Sequence, residues 1–282
     1  MNFLVLGVTG MAGHAIAIYL KERGHSVTGF ARRKVDYCEC ISGDAFDQEN
    51  IKNVIENNAY DAVVNCIGIL NRDAEENKAN AVYLNSFLPH YLADITKNMK
   101  TKVIHISTDC VFAGNKAPYH EKSFRDGETF YDRSKALGEL EDEKNVTIRC
   151  SIVGPDINDT GIGLFNWFMK QEKAQGYTNA MWTGLTTIEL AKVVEKATDE
   201  SIHGLYNVVY KENISKYELL KLFNEYCRNN SVELTPNGEY SVDKTLISTR
   251  RDMFYEVPSY SSMIAEMEEW IKNHKELYPH YR

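Results

Sequence analysis

Ser107-Thr108-Asp109 closes a short apolar run, and Tyr131 and Lys135 follow one connecting loop later, at the start of a helical stretch. Spacing i, i+4 puts the tyrosine and the lysine on one helical face. A hydroxyl, a phenol and an ammonium so arranged suit hydride transfer to a carbonyl. That reaction creates an alkoxide, which needs a proton. A free tyrosine, with a pKa of about 10, is a sluggish acid–base group at neutral pH. A nearby ammonium stabilises the phenolate and lowers that value. Lys135 can do this and also bond a cofactor ribose, while the Thr108 hydroxyl holds the substrate oxygen. Tyr-x-x-x-Lys occurs three times, at Tyr131/Lys135, Tyr217/Lys221 and Tyr240/Lys244, in a chain with 17 tyrosines. Context selects the first pair: Ser107-Thr108-Asp109 lies at the carboxyl edge of the expected sheet, where ligands bind.

A place for the hydride carrier stands at the start of the chain. Met1–Leu6 is a short apolar run, Gly7-Val8-Thr9-Gly10-Met11-Ala12-Gly13 follows at once, and His14–Arg23 reads as a helix. Strand, glycine turn and helix form the first unit of a dinucleotide-binding fold. Gly7 permits the tight turn, Gly10 lets the backbone approach a pyrophosphate, and Gly13 lets helix and strand pack closely. The helix N-terminus offers unpaired N–H groups to the anion. An acid at the end of the second strand would bond the ribose 2′-OH of NAD. That place reads Ala31-Arg32-Arg33-Lys34 instead. Arg32 and Arg33 suit a 2′-phosphate, so NADP(H) is favoured and NAD(H) stays open.

The elements that must position these groups alternate through the first half. Phe3–Leu6, Ser26–Phe30, Ala62–Cys66, Val103–Ser107 and Val146–Cys150 read as strands buried on both faces. Helical stretches separate them, among them one near 76–97 carrying Tyr83, Phe87 and Tyr91 on one face. This predicts an α/β fold, a Rossmann-like doubly wound parallel sheet over residues 1–150. Residues 151–282 are expected to form a smaller α/β substrate lobe, with part of 184–210 returning to the first domain. In that half, Leu164, Phe165 and Phe168 share a helix, Ile188–Ala197 reads as another, and Leu205–Val209 reads as a strand. Ser215 caps a helix Tyr217–Cys227, and Tyr260–Lys272 is a terminal amphipathic helix.

With 32 Lys+Arg against 40 Asp+Glu the net charge is −8, which argues against general nucleic-acid binding. No stretch approaches the ~18–20 apolar residues of a membrane span. The first apolar run is too short for a secretory signal, so a cytoplasmic protein is expected. The six cysteines show no zinc-ribbon spacing, and a reducing compartment suits them.

Together these pieces resemble the extended short-chain dehydrogenase/reductases, and among them the dTDP-4-dehydrorhamnose reductase family. The resemblance rests on Gly7–Gly13, Gly43-Asp44, Asn65-Cys66-Ile67-Gly68, Ser107-Thr108-Asp109-Cys110-Val111-Phe112-Ala113-Gly114 and Tyr131-Asp132-Arg133-Ser134-Lys135. It spans roughly residues 1–150; beyond that only the layout matches. It implies that Met11 lies with the glycine loop at the cofactor. Asp44 and Ala45 lie near the adenine, and Ile67 and Gly68 line the ribose side. Asn85 matches an asparagine that helps a proton relay in short-chain reductases, although a helix-packing amide is the plainer alternative. Val111 and Phe112 should face the substrate.

The implied activity is NADPH-dependent reduction of the C4 ketone of a nucleotide-diphosphate 4-keto-6-deoxy sugar, with Thr108, Tyr131 and Lys135 catalytic. Cys110 departs from the family's usual aromatic residue. Related epimerase-reductases carry a cysteine there, so epimerisation is the rival enzymatic reading. Their histidine partner has no counterpart, since no histidine occurs between His120 and His203. A non-catalytic NADP-binding regulatory subunit is the rival from another class. In the second lobe Asn179, Trp182 and Arg250 are the candidate contacts to the sugar nucleotide; a core tryptophan and a solvated basic pair are their plainer alternatives. The superfamily also implies a homodimer through the helices near 76–97 and 131–143.

Overall fold

Phe3 and Val5 pack to one side of the first strand, Leu4 and Leu6 to the other, and all four are fully buried. A strand with two apolar faces belongs inside a sheet covered on both sides. The computed structural model describes residues 1–199 and 201–281. The chain runs β1 (Asn2–Leu6), α1 (Met11–Glu22), β2 (Ser26–Ala31), β3 (Glu39–Ser42), α2 (Gln48–Glu56), β4 (Ala62–Asn65), α3 (Asn71–Glu76), α4 (Lys78–Ala81), α5 (Leu88–Ile95), β5 (Lys102–Ser107), α6 (Phe130–Leu137) and β6 (Val146–Arg149). It continues as β7 (Ser151–Val153), α7 (Leu164–Phe168), β8 (Lys173–Trp182), β9 (Gly184–Thr186), α8 (Thr187–Lys196), β10 (Gly204–Asn207), β11 (Ile214–Ser215), α9 (Lys216–Arg228), β12 (Glu233–Asp243) and α10 (Tyr260–Asn273).

Among the described residues seven strands form one sheet in the order β10-β6-β5-β4-β1-β2-β3, and every pairing in it is parallel. This is the Rossmann-like doubly wound arrangement, and its chain reverses direction between β1 and β4, the place where such sheets open a ligand crevice. One core, holding Ile16, Leu20, Ile104, Val193 and Met267, covers one face. A second, holding Phe30, Ile51, Leu88 and Leu92, covers the other. α1 packs against α8, and β10 pairs in register with β6, so the segment after β9 rejoins the large sheet. The remaining strands make a β11-β8-β12 sheet and a β7-β9 pair.

The stretch near 76–97 is not one helix. Asn77, at φ −124°, separates α3 from α4, and a π-helical turn spans Val82–Phe87 before α5. Pro89 supplies the reason: it has no N–H to give to the carbonyl four residues back, that of Asn85. A Cβ built on Gly138 would stand 1.9 Å from that same oxygen, so glycine alone lets α6 end against it. β3 is an edge strand with half of its residues exposed, which blunts the apolar signal. Asn179 and Trp182 lie in β8, which pairs with β12.

Gly138→Ala should therefore lose about 1–3 kcal/mol of stability through overpacking. Gly238→Ala, where nothing lies nearer than 3.6 Å, should stay within about 0.5 kcal/mol of wild type. Urea unfolding of both proteins measures the difference.

Candidate active site

β5 ends at Ser107, and Thr108 turns the chain into a single 3-10 turn, Asp109–Val111. The Thr108 hydroxyl caps that turn: it accepts the Cys110 N–H at 3.1 Å and donates to Asp109 Oδ1 at 3.1 Å. α6 opens on a reciprocal capping box between Thr129 and Asp132, which fixes Tyr131 in the first turn and Lys135 one turn on. Tyr131 is buried against Ala74 and Ala81, with Cys110 beside it. Its phenol lies beside the Thr108 side chain. Thr108, Cys110 and Tyr131 thus converge at the carboxyl end of β5.

The side chains here are buried or half-buried, and their titrations follow from that. Burial pushes the Tyr131 phenol well above its usual range, Cys110 adds to this, and the Thr108 side chain opposes it. The Cys110 thiol is pushed up to about 12 by burial and by Asp109. Lys135 is lowered to about 8 by burial, against Glu139, Cys66 and Cys150. Its amine donates to Ile106 O at 2.8 Å and lies 3.4 Å from His105 Nε2. The Lys135 amine is thus turned toward β5 behind it. The Tyr217/Lys221 pair lies in α9, where Lys221 binds Glu218. Tyr240 is an exposed residue of β12, where i, i+4 shares no helical face.

On the cofactor side, Gly7 takes φ +84°, and a Cβ on Gly13 would lie 2.2 Å from Gly7 O. The glycine loop is braced from two directions: Tyr37 donates to Val8 O at 2.5 Å, and Asn158 Nδ2 to Thr9 O at 3.3 Å. Met11 faces Gly163, whose built Cβ would stand 3.1 Å from the Met11 sulfur. Arg32 and Arg33 follow β2, exposed and without an ion pair among the described residues. Asp44 is exposed and accepts the Phe46 N–H, while Ala45 is buried. Asn65 Oδ1 accepts the Ile67 N–H at 3.2 Å, and Gly68 lies against Asn85 Oδ1. Asn85 itself is fully engaged. It accepts from Ile69 N at 2.9 Å and donates to Ile69 O at 2.9 Å and to Ser134 Oγ at 3.0 Å. This is the helix-packing amide, which pins the 67–69 loop to α6.

Several residues read as substrate contacts are placed elsewhere. Val111 and Phe112 are wholly buried; Phe112 stacks on Tyr119 at 4.2 Å, with the Arg149 guanidinium over its ring. Asn179 is an exposed residue of β8, on the strand face opposite Trp182, and holds Gly238 O. Arg250 stacks on Tyr206 at 3.9 Å, pairs with Asp252 and donates to His203 O. It thus lies at the amino end of β10, the wrong edge of the sheet for this site. Trp182 is buried, but Lys216 Nζ stands 5.1 Å from its ring.

Lys216, the first residue of α9, is one of two residues the sequence reading missed; Lys244, just past β12, is the other. Both act on Asp109, and Lys216 is lowered to about 8 by burial while Asp109 and Cys110 oppose that shift. The Ser215 cap fixed where α9 begins. Nothing local told that its first turn meets Cys110.

Known proteins resemble this chain in sequence and in fold. The chain is 25% identical over 261 residues to a dTDP-4-dehydrorhamnose reductase of Shigella flexneri, covering 88% of this chain and 86% of that one. It is 24% identical over 233 residues to methionine adenosyltransferase 2 subunit beta of Xenopus laevis, covering 77% and 69%. In fold it matches the crystal structure of a dTDP-4-dehydrorhamnose reductase from Bacillus anthracis in complex with NADP. The TM-score is 0.79 at 19% identity, over 96% of this chain and 99% of that one. The model of the RmlD substrate binding domain matches residues 1–246, and the chain belongs to that family.

Proposed function

We propose that this protein is an NADPH-dependent reductase of the C4 ketone of a nucleotide-diphosphate 4-keto-6-deoxy sugar, in the making of deoxysugars for surface polysaccharides. The convergence of the Thr108 hydroxyl and the Tyr131 phenol at the carboxyl end of β5 carries this reading. Residues 1–150 together with β10 hold the cofactor, and most of 151–282 holds the sugar nucleotide. The glycine loop takes the pyrophosphate and Arg32 and Arg33 the 2′-phosphate. When bound, NADPH supplies the hydride. Thr108 Oγ1 then holds the oxygen that was the ketone, and Tyr131 gives it a proton, which completes the hydroxyl. Burial favours this direction, because it keeps the phenol protonated. Lys216 and Lys244 position the sugar beside Cys110. Cys110, held as a neutral thiol by burial, lines the pocket and takes no proton from carbon. The likeness to methionine adenosyltransferase 2 subunit beta favours the regulatory-subunit reading as the alternative.

Tyr131→Phe separates the two. It should lower kcat about 10²–10⁴-fold with NADPH binding kept, while Tyr217→Phe and Tyr240→Phe match wild type. The assay follows NADPH absorbance with nucleotide 4-keto sugars and identifies the product by NMR. Turnover in D₂O should leave C3 and C5 without enzyme-dependent deuterium. Wild-type protein that binds NADPH and reduces none of these sugars would favour the binding subunit.

Calorimetry should give tighter binding of NADPH than of NADH. Arg32→Ala with Arg33→Ala should weaken NADPH about tenfold or more and leave NADH unchanged, as expected for lost charge-assisted bonds. Equal affinities in wild type would count against the 2′-phosphate role.

The homodimer reading rests on an aromatic ladder, Phe46–Tyr83–Phe87–Tyr91, with successive ring centroids 4.9, 5.2 and 5.7 Å apart. Phe46, Val82 and Phe87, and Leu137 of the adjoining α6, are exposed. Light scattering should show a dimer that Phe87→Glu converts to monomer. A wild-type monomer at micromolar concentration would exclude this interface.

A further inference from the structure

His105 lies in β5, wholly buried, between Asn65 of β4 and Lys135 of α6. Asn65 Oδ1 is committed to the Ile67 N–H. Turning the amide over would set two donors against each other and leave that N–H unpaired, at a cost of about 1–3 kcal/mol. Asn65 Nδ2 therefore faces His105 Nδ1, at 3.2 Å, and donates to it. A neutral imidazole carries one proton; with Nδ1 accepting, that proton is on Nε2. Nε2 points at Lys135 Nζ, 3.4 Å away. A neutral amine can accept there with its lone pair while still donating to Ile106 O. An ammonium has three donors and no lone pair, so it meets the Nε2–H donor to donor.

We propose that His105 is the positioning residue for Lys135: it docks the neutral amine behind the active site and turns the ammonium out toward Tyr131 and the cofactor cleft. The proposal rests on the reductase reading only for what Lys135 does once turned out. Its docking half stands on the Ile67–Asn65–His105–Lys135 chain of contacts. The charged and titratable groups around the pair are Glu139 at the end of α6, Cys66 after β4 and Cys150 after β6, which face Lys135, and His90 of α5, which acts on His105. Burial keeps His105 neutral and draws Lys135 down to about 8, so the amine titrates where the switch can operate. Below that pH Lys135 is charged and turned out; above it, neutral and docked. The same chain ties the 67–69 loop to the lysine, so cofactor seated on Ile67 and Gly68 is read at Lys135.

The test uses the full ligand-free chain with ¹³Cε-labelled lysine, Lys135→Met identifying the resonance. Wild-type Lys135 should titrate near pH 8, and ¹⁵N shifts should show His105 protonated on Nε2 alone. His105→Gln, which can turn a carbonyl toward the ammonium, should raise the Lys135 midpoint by about one unit or more. NADPH binding should weaken as pH rises through the Lys135 midpoint, and in His105→Gln that loss should move to higher pH. A wild-type midpoint at the ordinary lysine value, a proton on Nδ1, or a midpoint unmoved by His105→Gln would each overturn the proposal. The first two are read on wild-type protein, so a variant that fails to fold does not decide the matter. A chain in which Lys135 and His105 behave as described but NADPH does not bind would count against the reductase reading alone.

Discussion

Glu139 is a carboxylate with almost no access to water, and the floor of the active site is organised around keeping it charged. Taking such a group out of water costs several kcal/mol unless every oxygen is met. Arg149 meets it twice, through Nε at 2.8 Å and Nη2 at 2.6 Å; Ser107 Oγ donates at 2.6 Å, and Arg125 closes the remaining side. These partners overcome the burial that would push Glu139 up and hold it below the usual carboxylate range. Because Ser107 ends β5 and Arg149 ends β6, their shared hold on Glu139 ties the ends of those strands together. Arg149 then reaches Asn207 at the end of β10 and lies over Phe112. Thr108 stands one residue beyond Ser107, and Lys135 one helical turn before Glu139. Thr108 and Lys135 are thus aligned by a buried charge.

Burial also sets the resting proton inventory. Burial moves acids up and bases down together: Tyr131 and Cys110 rise, Lys135 and Lys216 fall. All four are driven toward their neutral forms, which low dielectric favours. Asp109 rises with Tyr131 and Cys110, although Lys216 and Lys244 oppose that rise; Glu139 is the buried acid held the other way. Lys216 and Lys244 thus bring the start of α9 and the end of β12 up to the turn after β5.

The central sheet was legible because its strands are covered on both faces, so each reads as an unbroken apolar run; only their ends differ by a residue or two. β3 was not, because an edge strand such as Glu39–Ser42 alternates with solvent. β8 was hidden for a related reason: its inward residues Ala174, Gly176 and Ala180 are too small to announce a face. Thr108, Tyr131 and the glycine loop could be read from order along the chain, since a parallel sheet delivers strand ends to one edge. Lys216, Lys244 and His105 could not. Their meaning lies in which element packs opposite, and no local pattern encodes that. Arg250 misled for the same reason, since a basic pair looks alike at either end of a strand. The direction of the Lys135 side chain was also beyond reach, because spacing fixes a helical face but not which of two neighbours the amine finds.

The pairing of β10 with β6 has a consequence for how the molecule comes into being. The partner of Val146–Arg149 is Gly204–Asn207, and all of β7 through α8 lies between them in the chain. A nascent chain folds from its N-terminus, so the first six strands are made well before the seventh. For that interval β6 is an open border of unpaired N–H and C=O groups, the kind that recruits stray strands. Arg149 Nη1 meanwhile lacks the Asn207 oxygen that meets it at 3.2 Å in the finished fold. A fragment cut near residue 150 freezes the molecule at that moment: it keeps the glycine loop, Thr108, Tyr131 and Lys135, yet leaves β6 bare where the finished sheet continues into β10.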